Sequence, residues 1–221
     1  MAGYYTVKQG DHLSGIADRY GFADYKKIWD DPNNADLKAQ RVNPNVLFPG
    51  DQLFIPDKGT KNYSKPTDRR HTFKVTTTPL QLRIKLDQFY SGPLANTPCD
   101  LFIADNPVKV TSSASGIVEQ TIPKDVQHGK LTVHRKITVK GQSLPDDFDI
   151  QIEIGHLDPV DKLSGQLGRL SNLGYYRKDL DPLDDPEFVS AVEEFQCDHG
   201  LKVDGDCGPL TQAKLKEVHG C

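Results

Sequence analysis

The spacing of apolar residues along the chain changes twice, and each change marks a different kind of element. Near the start, Tyr4-Tyr5-Thr6-Val7 is a short strand-forming run, and Lys8-Gln9-Gly10-Asp11 is a turn whose Asp11 can cap a helix. Leu13, Ile16, Ala17 and Tyr20 then recur at helical spacing. Gly21 stands where a left-handed helix end is expected, and Tyr25, Ile28 and Trp29 carry a second helical piece that Pro32 should stop. Leu53-Phe54-Ile55-Pro56 reads as a closing strand. Residues 1–57 are therefore predicted to fold as strand, helix, helix, strand, a β pair covered on one face by two helices. Residues 58–71 are polar, contain Gly59 and Pro66, show no period and read as a linker.

Period two takes over in residues 72–155, from Phe73 onward. Leu80, Leu82, Ile84 and Leu86 alternate with Gln81, Arg83 and Lys85, which places one face on a core and the other in water. Leu101 and Ile103 repeat the pattern, as do the runs Leu131-Val133, Ile137-Val139 and Phe148-Ile150-Ile152-Ile154. Turns are expected at Ser115-Gly116 and at Leu144-Pro145-Asp146-Asp147. Many strands with short turns predict an antiparallel sandwich. Helical spacing returns in residues 156–221. Leu163, Leu167, Leu170 and Leu173 form a stripe ending at Gly174. Asp185 as N-cap and Pro186 open a second helix through Phe188, Val192 and Phe195 to Gly200, and a third starts near Pro209 with Leu215 and Val218 inward. The fold class is multi-domain α+β.

Composition narrows the function. A net charge of -4 with no long basic run argues against nucleic acid as the main partner, because neutralising phosphates needs Lys and Arg in clustered excess. No stretch of about 18 apolar residues predicts a membrane span. Met1-Ala-Gly-Tyr-Tyr-Thr-Val lacks a basic segment followed by an apolar run, so no signal peptide is expected. That predicts synthesis in a bacterial cytoplasm, with any export to periplasm or cell wall by another route. Cys99, Cys197, Cys207 and Cys221 permit disulfides without demanding them, and lack the spacing of a metal site.

Several strings carry family resemblances. Tyr5-Thr6-Val7-Lys8-Gln9-Gly10-Asp11-His12-Leu13-Ser14-Gly15-Ile16-Ala17, with Asn43-Pro44-Asn45-Val46-Leu47-Phe48-Pro49-Gly50-Asp51-Gln52-Leu53-Phe54-Ile55-Pro56, resembles a LysM module. It departs from the usual pattern at His12, where Thr is commoner, and in the longer stretch from Asp30 to Arg41. The resemblance implies binding of N-acetylglucosamine-containing chains such as peptidoglycan or chitin in a shallow groove. Gly10, Asp11, His12 and Leu13 would form one wall, and Pro44, Asn45, Val46 and Leu47 the other. An N-acetyl group suits such walls, since it needs backbone hydrogen-bonding groups and a small apolar surface for its methyl. Gly165-Gln166-Leu167-Gly168-Arg169-Leu170-Ser171-Asn172-Leu173-Gly174-Tyr175-Tyr176, Phe195-Gln196, Gly200-Leu201-Lys202-Val203-Asp204-Gly205 and Thr211-Gln212-Ala213-Lys214-Leu215 resemble the three-helix peptidoglycan-binding module of cell-wall hydrolases. Tyr175, Tyr176, Asp204 and Thr211 are its candidate surface. The stretch Leu82 to Pro123, with Pro93-Leu94-Ala95-Asn96-Thr97-Pro98 and Gly116-Ile117-Val118-Glu119-Gln120-Thr121-Ile122-Pro123, resembles transthyretin-like or carboxypeptidase-regulatory-like β-domains in pattern. The combination resembles accessory proteins of phage tails and of contractile machines such as type VI secretion, which implies docking on a spike or cargo.

No catalytic constellation emerges. His71, His128, His134 and His156 are scattered, Cys99 opens a strand rather than a helix, and Asp146, Asp147 and Asp149 fall where a turn is expected. Asp204-Gly205-Asp206 lacks the further oxygen ligands of a calcium loop. The expectation is a non-catalytic, cofactor-free glycan-binding and targeting protein. An adaptor of a phage-tail-like or secretion apparatus is the alternative, and a wall hydrolase stands third.

Overall fold

The computed structural model describes residues 2–59, 64–72, 77–88, 92–104, 106–176 and 186–221. Gly3–Thr6 (β1) and Gln52–Ile55 (β2) pair antiparallel, with Gly3 opposite Ile55 and Thr6 opposite Gln52. Between them run helices Leu13–Arg19 (α1), Lys26–Trp29 (α2) and Ala35–Arg41 (α3), the last preceded by a 3-10 turn at Pro32–Asn34. The predicted stop at Pro32 is therefore a start. Asp31 Oδ1 accepts from Asn33 N at 3.0 Å, and Pro32 takes a first-turn position where its missing N–H costs nothing. The long stretch from Asp30 to Arg41 thus holds an added helix. Asn34, fully buried, ties this turn to β2: its amide donates to Ile28 O at 2.7 Å and Phe54 O at 2.8 Å, and its Oδ1 accepts from Phe54 N at 2.7 Å.

The chain divides into two compact units, one made of Met1–Leu13, Ile28–Pro56 and Gly155–Cys221, the other of Ser14–Lys27 and Asp57–Ile154. The second unit contains the antiparallel strands Leu80–Lys85 (β3), Asp87–Gln88 (β4), Gly92–Pro93 (β5), Pro98–Ile103 (β6), Asn106–Thr111 (β7), Ile117–Ile122 (β8), His128–Val139 (β9) and Gln142–Glu153 (β10). A four-stranded sheet in the order β10-β9-β6-β7 and the β3-β8 pair share one core. Leu101, Leu131 and Val133 lie at its centre, with Val118 and Ile122 from the smaller sheet. Period-two alternation supplied these inward faces, as the sequence predicts.

Two expectations change here. Leu131-Val133 and Ile137-Val139 are one strand, β9, and Leu144-Pro145-Asp146-Asp147 is not a turn but part of β10. The hairpin instead turns at Lys140-Gly141, where both residues have positive φ (50° and 80°) and Val139 faces Gln142. That two-residue turn matches the strand twist, and Gly tolerates its second position. Pro145 is accommodated because β10 is an edge strand, where a missing N–H breaks little of the ladder.

In the first unit, the C-terminal segment forms helices Leu163–Asn172 (α4), Pro186–Asp198 (α5) and Pro209–His219 (α6) around Leu167, Leu170, Val192, Phe195 and Leu215. Pro186 opens α5 as expected; the N-cap read at Asp185, like the onset at Phe73, lies outside the described residues. Among the described residues, no helix is long and apolar enough to cross a membrane.

Candidate functional site

The segment expected to form the first groove wall follows β1. Asp11 is buried and its Oδ2 accepts from Tyr5 Oη at 2.7 Å and from Lys8 N at 2.9 Å, so this carboxylate closes the turn. Gly10 has φ +83°, which the turn needs and a side chain would oppose. His12 and Leu13 are buried beside it, at 6% and 0% exposure.

The segment expected to form the second wall precedes β2. Asn43 Oδ1 accepts from Asn45 N at 2.9 Å, an Asx turn that leaves the Asn45 side chain exposed, with Pro44 half-buried and Val46 and Leu47 buried. Asp51 holds this wall's far end. It takes Arg41 Nε and Nη2 at 2.8 Å each, in a fork, and accepts from Phe48 N at 2.9 Å. Hydrogen bonding to Asp51 raises the Arg41 pKa further above its already high ordinary value. Neither Arg41 nor Asn34 stood out in the sequence, because polar residues in a polar stretch give no period. The unusual length of that stretch was the only hint.

In the C-terminal segment, Gln196 gathers two candidate residues. Its Nε2 donates to Asp204 Oδ1 at 2.9 Å and Thr211 Oγ1 at 3.1 Å, while its Oε1 accepts from Asp204 N and Gly205 N at 2.9 and 3.1 Å. The Asp204-Gly205-Asp206 segment is thus a turn wrapped on one side-chain amide, with Thr211 buried against it. Tyr175 lies apart. Its ring meets Phe195 edge-on at 5.4 Å and its hydroxyl donates to Asp198 Oδ2 at 3.1 Å, whereas Tyr176 is buried in the core. Arg169, only 1% exposed, donates to Cys221 O, Asp158 O and Gly165 O and so ties α4 to the segment before it and to Cys221; its burial lowers its pKa.

Several side chains with catalytic potential are engaged structurally. Cys99 faces the sandwich core, and burial raises its thiol pKa. Burial pushes Cys207 to about 11. His134 meets Asp147 at 2.9 Å and Asp100 at 3.1 Å, which raises its pKa; Asp146 pairs with Arg135, and Asp149 with Thr132 and Lys130. One row went unread in the sequence: Asn172, His219 and Cys221. Asn172 Nδ2 donates to His219 Nε2 at 3.0 Å, which leaves Nδ1 protonated and 3.2 Å from Cys221 Sγ. An imidazole that presents N–H to sulfur cannot remove the thiol proton. Burial raises the thiol and lowers the imidazole to about 4, so the pair rests neutral. Among the described residues, no group of three or more His, Cys, Asp or Glu is placed to hold a metal.

Comparison with known families defines the class of module at each end. Residues 5–56 match the LysM domain, and residues 168–215 match the family described as "Putative peptidoglycan binding domain". The chain thus carries two modules of the peptidoglycan-binding kind, one before and one after the β-strands in sequence, and the two matches support a peptidoglycan-binding role. No curated protein and no solved structure gives a significant match.

Proposed function

We propose that this protein is a non-catalytic peptidoglycan-binding and targeting protein whose LysM groove and C-terminal module engage the wall together. The observation that carries this reading is the pair of wall-binding modules at the two ends of the sequence. Two weak sites on one chain raise each other's effective concentration on a repetitive polymer. Support for the absence of catalysis comes from Cys99 and Cys207 in apolar cores and from His134, Asp146 and Asp149 in hydrogen-bonded pairs. Co-sedimentation with insoluble purified peptidoglycan tests the reading. The protein should pellet, and should release neither reducing ends nor free amino groups. Failure to pellet would overturn the binding role, and sustained release abolished by one Cys, His or Asp substitution would overturn the non-catalytic one.

A second reading, docking on a spike or tail component, is favoured by the β9–β10 arm. β6 pairs with β9 only from Gly129 to Val133, so the hairpin beyond continues as two strands. Its face continuous with the core carries Ile137, Val139, Leu144 and Phe148, all at least 36% exposed. Apolar surface of that kind suits a protein partner better than a sugar chain.

A further inference from the structure

We propose that the start of the C-terminal module, Gly155 to Lys162, is a built-in cover on the LysM groove, so that glycan binding there is latent until that module moves away. The inference rests on the glycan-binding reading of the groove and adds how that site is regulated.

Three contacts make the cover. Gly155 lies against the first wall so closely that a methyl on it would sit 2.5 Å from Gly10 O and 3.4 Å from His12 Cδ2. With φ +79° as well, Gly155 is required here both for its backbone and for its lack of a side chain. Asp161 Oδ1 stands 3.9 Å from Arg41 Nη1, and Lys162 Nζ lies 5.4 Å from the centre of the Phe48 ring, next to the second wall. In this closed arrangement Asp11 and His12 keep 6% exposure and Leu13 none, too little for a sugar to touch. The Gly10 carbonyl, an acceptor an N-acetyl N–H could use, faces Gly155 instead.

The cover belongs to the C-terminal module and is not a loose strap. Ser164 Oγ donates to Asp158 Oδ2 at 2.6 Å, Arg169 Nη1 to Asp158 O at 2.8 Å, and Gln166 Nε2 to Val160 O at 3.0 Å. Segment and α4 must therefore move as one body, with Gly155 the natural hinge. The closed state also carries a defect that favours release. Arg41 Nη1 is buried without a hydrogen-bond acceptor, since 3.9 Å to Asp161 gives attraction but not a hydrogen bond. Opening returns that N–H to water.

Only the open fraction binds, so the apparent affinity of the groove is reduced by that fraction. The test uses the full-length chain, an N-acetylglucosamine hexamer as probe, and hydrogen exchange of the backbone from Lys8 to Leu13. Asp161→Lys sets a cation against Arg41 at a half-exposed position that neither module's core uses; Gly155→Leu wedges the contact directly and serves as the second variant. Both should raise exchange at 8–13 and tighten hexamer binding by about tenfold or more relative to the parent protein. Unchanged exchange with equal binding overturns the cover and leaves the glycan reading standing. Raised exchange with no hexamer binding by any variant upholds the cover and overturns the groove as a glycan site. Weaker binding in both variants would show that Gly155 to Lys162 is part of the sugar site, and would also overturn the cover.

Discussion

Gln196 shows how much one side chain can hold. Its amide satisfies two backbone N–H groups of the Asp204-Gly205 turn and meets Thr211 Oγ1, all from a position 1% exposed. Removing it strands those groups where water cannot fully replace it. Gln196→Ala should therefore lower stability by about 2–4 kcal/mol in urea unfolding followed by circular dichroism, with the native helical signal unchanged before the transition. A loss below about 1 kcal/mol would mean that the turn is held by its own backbone. This residue was visible in the sequence only as part of a family string. Buried amides and guanidinium groups have no periodic signature, so Gln196, Asn34, Arg41 and Arg169 escaped a reading based on apolar spacing. The groove residues were legible, because turn chemistry is local: Gly10 and Asp11 make a turn whose hydrogen bonds fall within six residues of chain. What covers them was not legible, since Gly155 is 145 residues away from Gly10.

At the scale of elements, the three C-terminal helices were legible in the sequence, whereas α3 and the β9–β10 hairpin were not. α4, α5 and α6 each bury one stripe, so the 3.6-residue period survives in the sequence. β9 and β10 leave the body of the sheet halfway along, and the alternation there no longer separates core from water. Pro145 and its acidic neighbours then imitate a turn. The helical module also sets a pH dependence. Burial, and then repulsion from Arg169, holds His219 at about 4, and burial with nearby Lys214 lowers His199. Both lie below the ordinary 6.5, so the unfolded chain takes up protons that the folded module refuses. Their contribution is complete above about pH 6.5 and is lost progressively as pH falls towards 4. Thermal unfolding should accordingly shift down between pH 7 and pH 4.5, and His219→Gln should flatten the difference. A variant with the parent's full pH slope would remove His219 from the account.

For the whole molecule, the two units matter more than the three sequence segments, because both units are discontinuous in sequence. One joins Met1–Leu13 and Ile28–Pro56 to Gly155–Cys221, and the other joins Ser14–Lys27 to Asp57–Ile154. Arg69 and Arg70 are exposed in the segment expected to be a linker, and a tryptic cut there separates each unit into two pieces. In the first unit the pieces are joined by Gly155 against Gly10 and by Asp161 facing Arg41. In the second, Thr78 N donates to Ala23 O at 3.2 Å and Lys124 lies 3.7 Å from Asp18. A chain whose end modules merely hang on a tether would fall into two independent particles once cut. Here the nicked protein should elute as one particle in native gel filtration and separate into two fragments only in denaturant. Asp161→Lys, which loosens one of these joints, should make the nicked pair separate at lower denaturant. Fragments that elute apart without denaturant would show that the covalent chain alone keeps the segments together, and the cover on the groove would then have too little hold to keep it closed.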